Sequence, residues 1–592
     1  MPNSLLAASK ETAYQLMKVA LGEAEADLAI VNGDIVNVYT GEVLGGDTVL
    51  VKQDRIAYVG KNARQSIGSN TQVIDAKGKT LVPGFIDGHT HVGLIFTISE
   101  MMRYCLKSGT TTVITEIPDF TFSVGYRGTL EFLKAIKNQP VKILFTVPAM
   151  HSISPLTRKH FLTNEEVGRL LRRKEAIGLG EVYWTDVLKG HQELFDWIEE
   201  AKKVGKKLDG HTAGARDNKL QAYTSLGITS CHEPITAEET LERLRLGMYI
   251  LIREGEIRRE LEAISKIKDE NVDLRRLIIA TDGLGPWQFV ADGYMEFVVQ
   301  KAIDLGFSPV QAIQMATLNV AQRFSLDDFI GGIAPGKYAD IVIIPNLTTI
   351  QPECVISNGR VVAKNGELLV QPRKHHYPKS MLNSLQLARN FTADDFAVRV
   401  DGNYSKVKVR VIDQTTKLIT REDILELPTS DGQILSDTSQ DVVKVAAIDR
   451  MHGTGKSFTG FVKGLGLKRG AIATTLVWDT HNMTVVGASE ADMAQAVDRI
   501  KEINGGIVIC ADGQILDEIA LPIGGIFSQD TMEDLSQKLH DIQRTATSLG
   551  CTSPDIRLTL AVLSTAAIPF LRICEAGLVD LRQNKFVDLI VD

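Results

Sequence analysis

Val82-Pro83-Gly84-Phe85-Ile86-Asp87-Gly88-His89-Thr90-His91 is an apolar run that ends in two histidines two positions apart. In a strand, successive side chains alternate between faces, so both imidazoles point to the same side. From there to residue 325, short apolar runs alternate with helical stretches, the pattern of βα units around a parallel sheet. Eight runs end near His91, Glu116, Val147, Glu181, His211, His232, Arg253 and Asp282. Each precedes a stretch of helical periodicity, such as 193–204 or 294–305. Counts of seven or nine also fit the pattern. Eight units in about 245 residues match the size of a closed (β/α)8 barrel, so an α/β, TIM-like barrel is expected over residues 82–328.

The flanks read differently. Residues 5–20 predict a leading helix, and 28–31, 35–38, 49–51 and 56–59 predict short antiparallel strands. Matching β-signals return at 340–344 and 355–362, on the far side of the barrel segment. The economical arrangement is a small β-sandwich assembled from residues 1–81 and 329–375. After Lys374-His375-His376-Tyr377-Pro378, strand signals at 407–412, 442–448, 484–487 and 506–511 and a helix at 491–502 predict a C-terminal α+β domain over 376–592.

A chain of 592 residues exceeds the length at which a single core stops growing, which agrees with several packed units. Its 44% hydrophobic and 23% charged residues are ordinary for a folded globular protein. A net charge of −8 argues against a nucleic-acid partner, because phosphate-backbone binding needs clustered Lys and Arg. The six cysteines are scattered with no Cys-x-x-Cys pair, so neither a zinc ribbon nor a disulfide framework is expected. The N-terminus lacks the pattern of a signal peptide. The longest apolar run, 558–571, is interrupted by Pro569 and falls short of the roughly 20 residues that span a bilayer. A cytoplasmic protein with no membrane partner is expected.

In a (β/α)8 barrel the C-terminal strand ends build the site. Six ligand-type residues stand there: His89, His91, Glu181, His211, His232 and Asp282. Singly, each has a plain structural reading, since a strand-end His or Asp often caps the next helix. Their convergence points to metal. Mixed imidazole and carboxylate ligation suits Mn, Fe or Zn, and six groups suffice for two ions sharing a bridging carboxylate.

The surrounding text includes Gly178-Leu179-Gly180-Glu181, Asp209-Gly210-His211, Ala312-Ile313-Gln314-Met315-Ala316-Thr317-Leu318-Asn319 and Ile333-Ala334-Pro335-Gly336. Further on come His452-Gly453-Thr454-Gly455-Lys456 and Gly464-Leu465-Gly466-Leu467-Lys468-Arg469-Gly470. With these motifs the chain resembles the adenine deaminase family of the amidohydrolase superfamily over nearly its whole length. The resemblance implies hydrolytic deamination of adenine to hypoxanthine and ammonia, in purine salvage, with a purine-like small molecule and water as partners. It implies two divalent ions, Mn(II) first, with Fe(II) or Zn(II) as alternatives. His89, His91 and Asp282 would hold one ion and His211 and His232 the other. Glu181 would span both, in the place where many related barrels use a carboxylated lysine; Lys189 lies too far along to serve. Asp282 would take the proton of the attacking water and pass it to the departing ammonia, and Glu116 or Asp119 would protonate a ring nitrogen.

The chain departs from the family pattern in two loops. Asp-Pro-His-Glu after the second strand is here Glu116-Ile117-Pro118-Asp119, and Glu-Ser-Ser after the first His-x-His is Gly93-Leu94-Ile95. Apolar Leu94-Ile95-Phe96 is therefore expected at a loop facing substrate. These changes keep open another cyclic amidine or amide as substrate, and a non-catalytic metal-binding protein is the reading from a different class. Glu233 reads either as an orienter of the neighbouring ligand His232 or as a helix-start carboxylate. His452 and His481, the latter in Asp479-Thr480-His481-Asn482, are candidates for a gating or second metal site, against a plain hydrogen-bonded turn. Gly453-Thr454-Gly455-Lys456-Ser457 lacks the first glycine of a P-loop, Arg450 standing there. His151, His160, His191 and His540 read as ordinary surface residues. A homo-oligomer is expected from the size of the chain.

Overall fold

The computed structural model describes residues 6–92, 95–568 and 570–591. Eight parallel strands follow one another between residues 85 and 280: β1 (Phe85–His91), β2 (Thr110–Glu116), β3 (Lys142–Pro148), β4 (Ala176–Tyr183), β5 (Lys207–His211), β6 (Ser230–Cys231), β7 (Tyr249–Arg253) and β8 (Leu277–Ala280). Backbone ladders join β1 to β5 in one arc and β6 to β8 in another. The arcs close on each other without full ladders. At one seam Asp282 N donates to His89 O at 2.9 Å. There the buried Asp87 carboxylate also accepts from the Thr281 hydroxyl at 2.6 Å and the Tyr294 hydroxyl at 2.8 Å. At the other seam the buried Arg323 guanidinium donates to Leu208 O at 2.7 Å, Asp209 Oδ1 at 2.8 Å and Ser230 Oγ at 2.8 Å.

The strands are apolar on both faces because both are covered. Inside, Ile86, Ile114, Leu144, Ile177, Leu251 and Ile278 pack in one cluster with Val320, in the helix Leu318–Arg323, and Phe324, which caps that helix. Outside lie amphipathic helices. In Gln192–Lys203 the buried positions Leu194, Trp197, Ile198 and Ala201 recur at helical spacing and turn one stripe inward.

One nine-stranded sheet takes strands from both sides of the barrel segment. Its central pair joins Thr80–Pro83 to Ile341–Ile344 in antiparallel register, Val82 opposite Val342. The hairpin partners are those expected, Leu50 pairing with Tyr58 and Val51 with Ile56. The leading helix spans Lys10–Ala20 with Ser9 as its cap.

The C-terminal part carries a ten-stranded sheet, with Lys406–Gln414, Val442–Asp449, Asn482–Gly487 and Gly506–Ala511 where strands were read. The helix Glu490–Glu502 packs on it. This part is bound to the barrel. Ile95 N donates to Ile526 O at 3.0 Å, Ser528 N donates to Ile95 O at 2.8 Å, and the Phe120 and Phe527 rings meet at 4.5 Å. These contacts correct one expectation. Ile95 and Phe96 are buried and do not line the cavity facing the histidines: Ile95 pairs with the 526–528 segment of the C-terminal part, and Phe96 packs on Phe289 within the barrel. Gly93 and Leu94 lie outside the described residues.

Gly210 sits where β5 approaches β6, and a Cβ there would stand 2.6 Å from Ser230 O, a backbone atom with no room to yield. Gly210→Ala is expected to cost about 1–3 kcal/mol by overpacking. Thermal unfolding should show a clearly lowered midpoint, and an unchanged midpoint would mean that this seam is not tightly packed.

Candidate metal centre and its cavity

The six strand-end groups converge at the C-terminal mouth. His91 Nε2 lies 3.1 Å and His89 Nε2 3.3 Å from Glu181 Oε1, and Asp282 Oδ1 is 3.3 Å from His89 Nε2 and 3.6 Å from His91 Nε2. His211 and His232 form a second group with Glu233, whose Oε1 is 3.3 Å and 3.1 Å from their Nε2 atoms. His232 Nε2 is also 3.7 Å from Glu181 Oε1, so Glu181 stands between the groups. In each group the ligand atoms lie within 4.8 Å of one another, the spacing of groups around one ion. His89 Nε2 is buried and has no hydrogen-bond partner among the described residues, although two carboxylate oxygens lie 3.3 Å away. A lone pair aimed at a cation accounts for that geometry; a hydrogen bond does not.

Two of the carboxylates sit on strained backbone, Glu181 within β4 and Asp282 just after β8. Glu181 has φ 44° and Asp282 φ 56°, left-handed values that cost a non-glycine residue about 1–3 kcal/mol and cluster at functional sites. At Glu181 the ladder to β5 skips, Leu208 pairing with Leu179 and Gly210 with Val182, and this bulge turns the side chain into the mouth. Gly180 beside it leaves space for Glu116, since a Cβ there would meet Glu116 Oε2 at 2.2 Å.

Glu116 and Asp119 take different positions. Glu116 is buried beneath the centre with Oε1 3.8 Å from His89 Nδ1, and it is not among the residues lining the cavity. Burial, with the Glu181 charge adding, pushes it up to about 8. Asp119 lines the cavity, its Oδ2 3.5 Å from His91 Nδ1. Each histidine of the His-x-His pair thus has a carboxylate behind its outer nitrogen, the arrangement that fixes an imidazole for ligation.

Arg253, read only as a strand end in the sequence, is the charge that balances the site. Buried among acids, it donates to Glu233 Oε1 at 2.5 Å and Asp282 Oδ2 at 3.3 Å, and pairs with Glu260 at 2.9 and 3.1 Å. Its signal was a lone guanidinium ending the run Tyr249-Ile250-Leu251-Ile252. Against the cost of burial, Arg253 and His211 hold Glu233 well below the usual carboxylate range.

The centre opens into a cavity of about 300 Å³. Its far wall comes from the C-terminal part: Leu418, Ile419, Trp478, Asp479, Ile568 and Phe570. Asp479 accepts from the Thr565 hydroxyl and from Ala566 N at 3.2 Å. Burial, opposed by the Thr565 hydrogen bond, lifts it to about 7, the Glu181 and Asp119 charges adding to the rise. His452 and His481 do not reach this cavity. Their ring nitrogens meet at 3.0 Å, and His452 stacks on His160 at 4.1 Å, so Asp479 and Trp478 are the members of that stretch that face the site.

Residues 80–364 match the amidohydrolase family and residues 417–585 match the adenine deaminase C-terminal domain. The chain is 35% identical over 589 residues to an adenine deaminase of Clostridium botulinum (strain Langeland / NCTC 10281 / Type F), covering 98% of each chain. It is 36% identical over 587 residues to an adenine deaminase of Moorella thermoacetica (strain ATCC 39073 / JCM 9320), again covering 98% of each. An adenine deaminase of Staphylothermus marinus is 35% identical over 587 residues, 97% of each chain. The chain belongs to the adenine deaminase family. Membership makes it a hydrolase acting on C–N bonds, and the His/Glu/Asp cluster suits the divalent-metal chemistry of amidohydrolases. Among the described residues no helix is long and apolar enough to cross a membrane.

Arg253→Met would leave Glu233, Glu260 and Asp282 without their shared cation. Removing one partner of a buried charge network costs about 3–5 kcal/mol. The variant is expected to unfold at markedly lower urea than the parent, and an equal midpoint would show that the acids are neutralised by other groups.

Proposed function

We propose that the protein hydrolyses adenine to hypoxanthine and ammonia at a two-metal centre. The observation that carries this reading is full-length relatedness to adenine deaminases together with six ligand-type side chains brought to one mouth. His89, His91 and Asp282 are assigned to one ion and His211 and His232 to the other, with Glu181 between them and Glu233 beside the second. Mn(II) is the first choice, with Fe(II) or Zn(II) as alternatives for a mixed imidazole and carboxylate set. Bound there, the ions would bring the pKa of a coordinated water toward neutrality and offset developing negative charge.

The chain's own groups supply the rest. Asp282, at the edge of the first group and facing the cavity, is placed to accept the water's proton and return it to the leaving ammonia. Asp119 is assigned the protonation of a ring nitrogen, since it lines the cavity while Glu116 lies below it. Glu116 serves as a positioning residue behind His89. Trp478, Phe570 and Tyr183 give a flat substrate aromatic surfaces, and the C-terminal wall keeps bulk water from the reacting carbon. The exchange of carboxylate sizes between Glu116 and Asp119, and Ile117 between them, favours a second reading in which another cyclic amidine is the better substrate. Six buried, unpaired cysteines support a reducing compartment, in line with the cytoplasm.

The test is ammonia release from adenine and from a panel of aminopurines, aminopyrimidines and cyclic amides by manganese-loaded protein. Adenine is expected to be turned over, with Asp282→Asn lowering kcat by about 10²–10⁴-fold. Release only from another compound would transfer the mechanism to that substrate, and no release from any would sink the enzymatic reading.

A further inference from the structure

Beside the catalytic cavity lies a second chamber of about 650 Å³. The two share Tyr183, His211, Ala213, Ala567 and Phe570, so they adjoin. Arg158, Lys189, Lys219, Arg582 and Lys585 line this chamber, and the lone carboxylate among its lining residues is Asp186. That balance is the reverse of the whole chain, in which 73 Asp and Glu outnumber 65 Lys and Arg. Among the described residues, only Lys189 of the five has an ion-pair partner, Asp186 at 3.6 Å. Two of the others are held against aromatic rings. Arg582 lies 3.5 Å over Phe570, at the wall both cavities share, and Lys219 lies 5.4 Å from the Trp184 ring centre. The four exposed cations without an ion-pair partner among the described residues, Arg158, Lys219, Arg582 and Lys585, raise the local potential and concentrate anions.

The same wall carries His151 and His191, which the sequence had presented as plain surface residues. With Asp186 they bring ligand atoms within 4.8 Å, as a metal site would. The surroundings argue against a third ion, because Lys189 already faces Asp186 and Arg158 stands on the same wall. A divalent cation there would meet like charge. His151 is already flanked by carboxylates, with Glu193 Oε2 3.8 Å from its Nε2 and Asp186 Oδ2 3.9 Å from its Nδ1.

We propose that this chamber binds a phosphate group. Several cations around one concavity match a doubly charged anion with three or more acceptor oxygens better than a single carboxylate. The phosphate can come from two sources: the free ion, or a purine nucleotide whose base reaches the catalytic cavity through the shared wall. The chamber stands on its own charges, and only the placement of the base rests on the adenine reading.

Calorimetric titration of the intact, metal-loaded protein with inorganic phosphate and with adenosine 5′-monophosphate tests this, beside the double variant Arg158→Ala/Arg582→Ala. Lys219→Ala/Lys585→Ala serves as a second variant if the first unfolds early. At least one probe should bind, with affinity falling at higher salt and by about tenfold or more in the variants. Ammonia release from adenine should stay within about twofold, as these side chains lie outside the metal centre. Nucleotide binding that competes with adenine would identify the ligand as one spanning both cavities, whereas phosphate binding without competition would identify the free ion. Absence of binding by either probe, or binding unchanged in the variants as if the metals alone held the phosphate, would overturn the proposal. If adenine is not turned over but binding is lost in the variants, the chamber stands and the adenine reading falls.

Discussion

Glu181 and Asp282 are buried in one barrel mouth and Glu233 is nearly so, and a carboxylate taken out of water costs several kcal/mol unless a cation answers it. This constraint shapes the rest of the site. Arg253 answers part of it by touching Glu233 and Asp282 at once. The remainder falls to the ring of four histidines and, on the proposed reading, to the ions they hold. The left-handed backbone at Glu181 and Asp282 shows that the chain accepts local strain to keep these acids converged, which a barrel of apolar strands has no reason to do for stability alone.

The second consequence is enclosure. Electrostatic groups of this kind act most strongly where water is excluded, and the barrel mouth by itself is open. The C-terminal part supplies the missing wall through Trp478, Asp479, Ile568 and Phe570, and the Ile95 backbone pairing with residues 526–528 ties that wall to the loop leaving β1. Ligands on β1 and the cavity's cover are thus mechanically linked through one short segment.

Much of this was legible in the sequence. The eight strand ends could be read because all the apolar runs but the one ending at Val147 stop at a polar residue, and in a parallel barrel all those stops face one way. The strands of the C-terminal sheet and the helix Glu490–Glu502 announced themselves by alternation and by a 3.6-residue period. What stayed hidden depends on contacts distant in sequence. Trp478 and Phe570 look like ordinary core residues until the C-terminal part is laid over the barrel. Ile95 and Phe96 read as a substrate loop because their partners, Ile526 and Phe289, are far along the chain. His481 drew attention by residue type, whereas its neighbour Asp479 faces the site. Arg253 was seen only as a boundary, since nothing local reveals that three acids will surround it.

The central claim is that two ions share Glu181, and anomalous diffraction from crystals of the manganese-loaded protein tests it most directly. The account predicts two manganese peaks in the barrel mouth, one against His89, His91 and Asp282 and one against His211 and His232, with Glu181 reaching both. A single peak, or a pair that Glu181 does not touch, would contradict it.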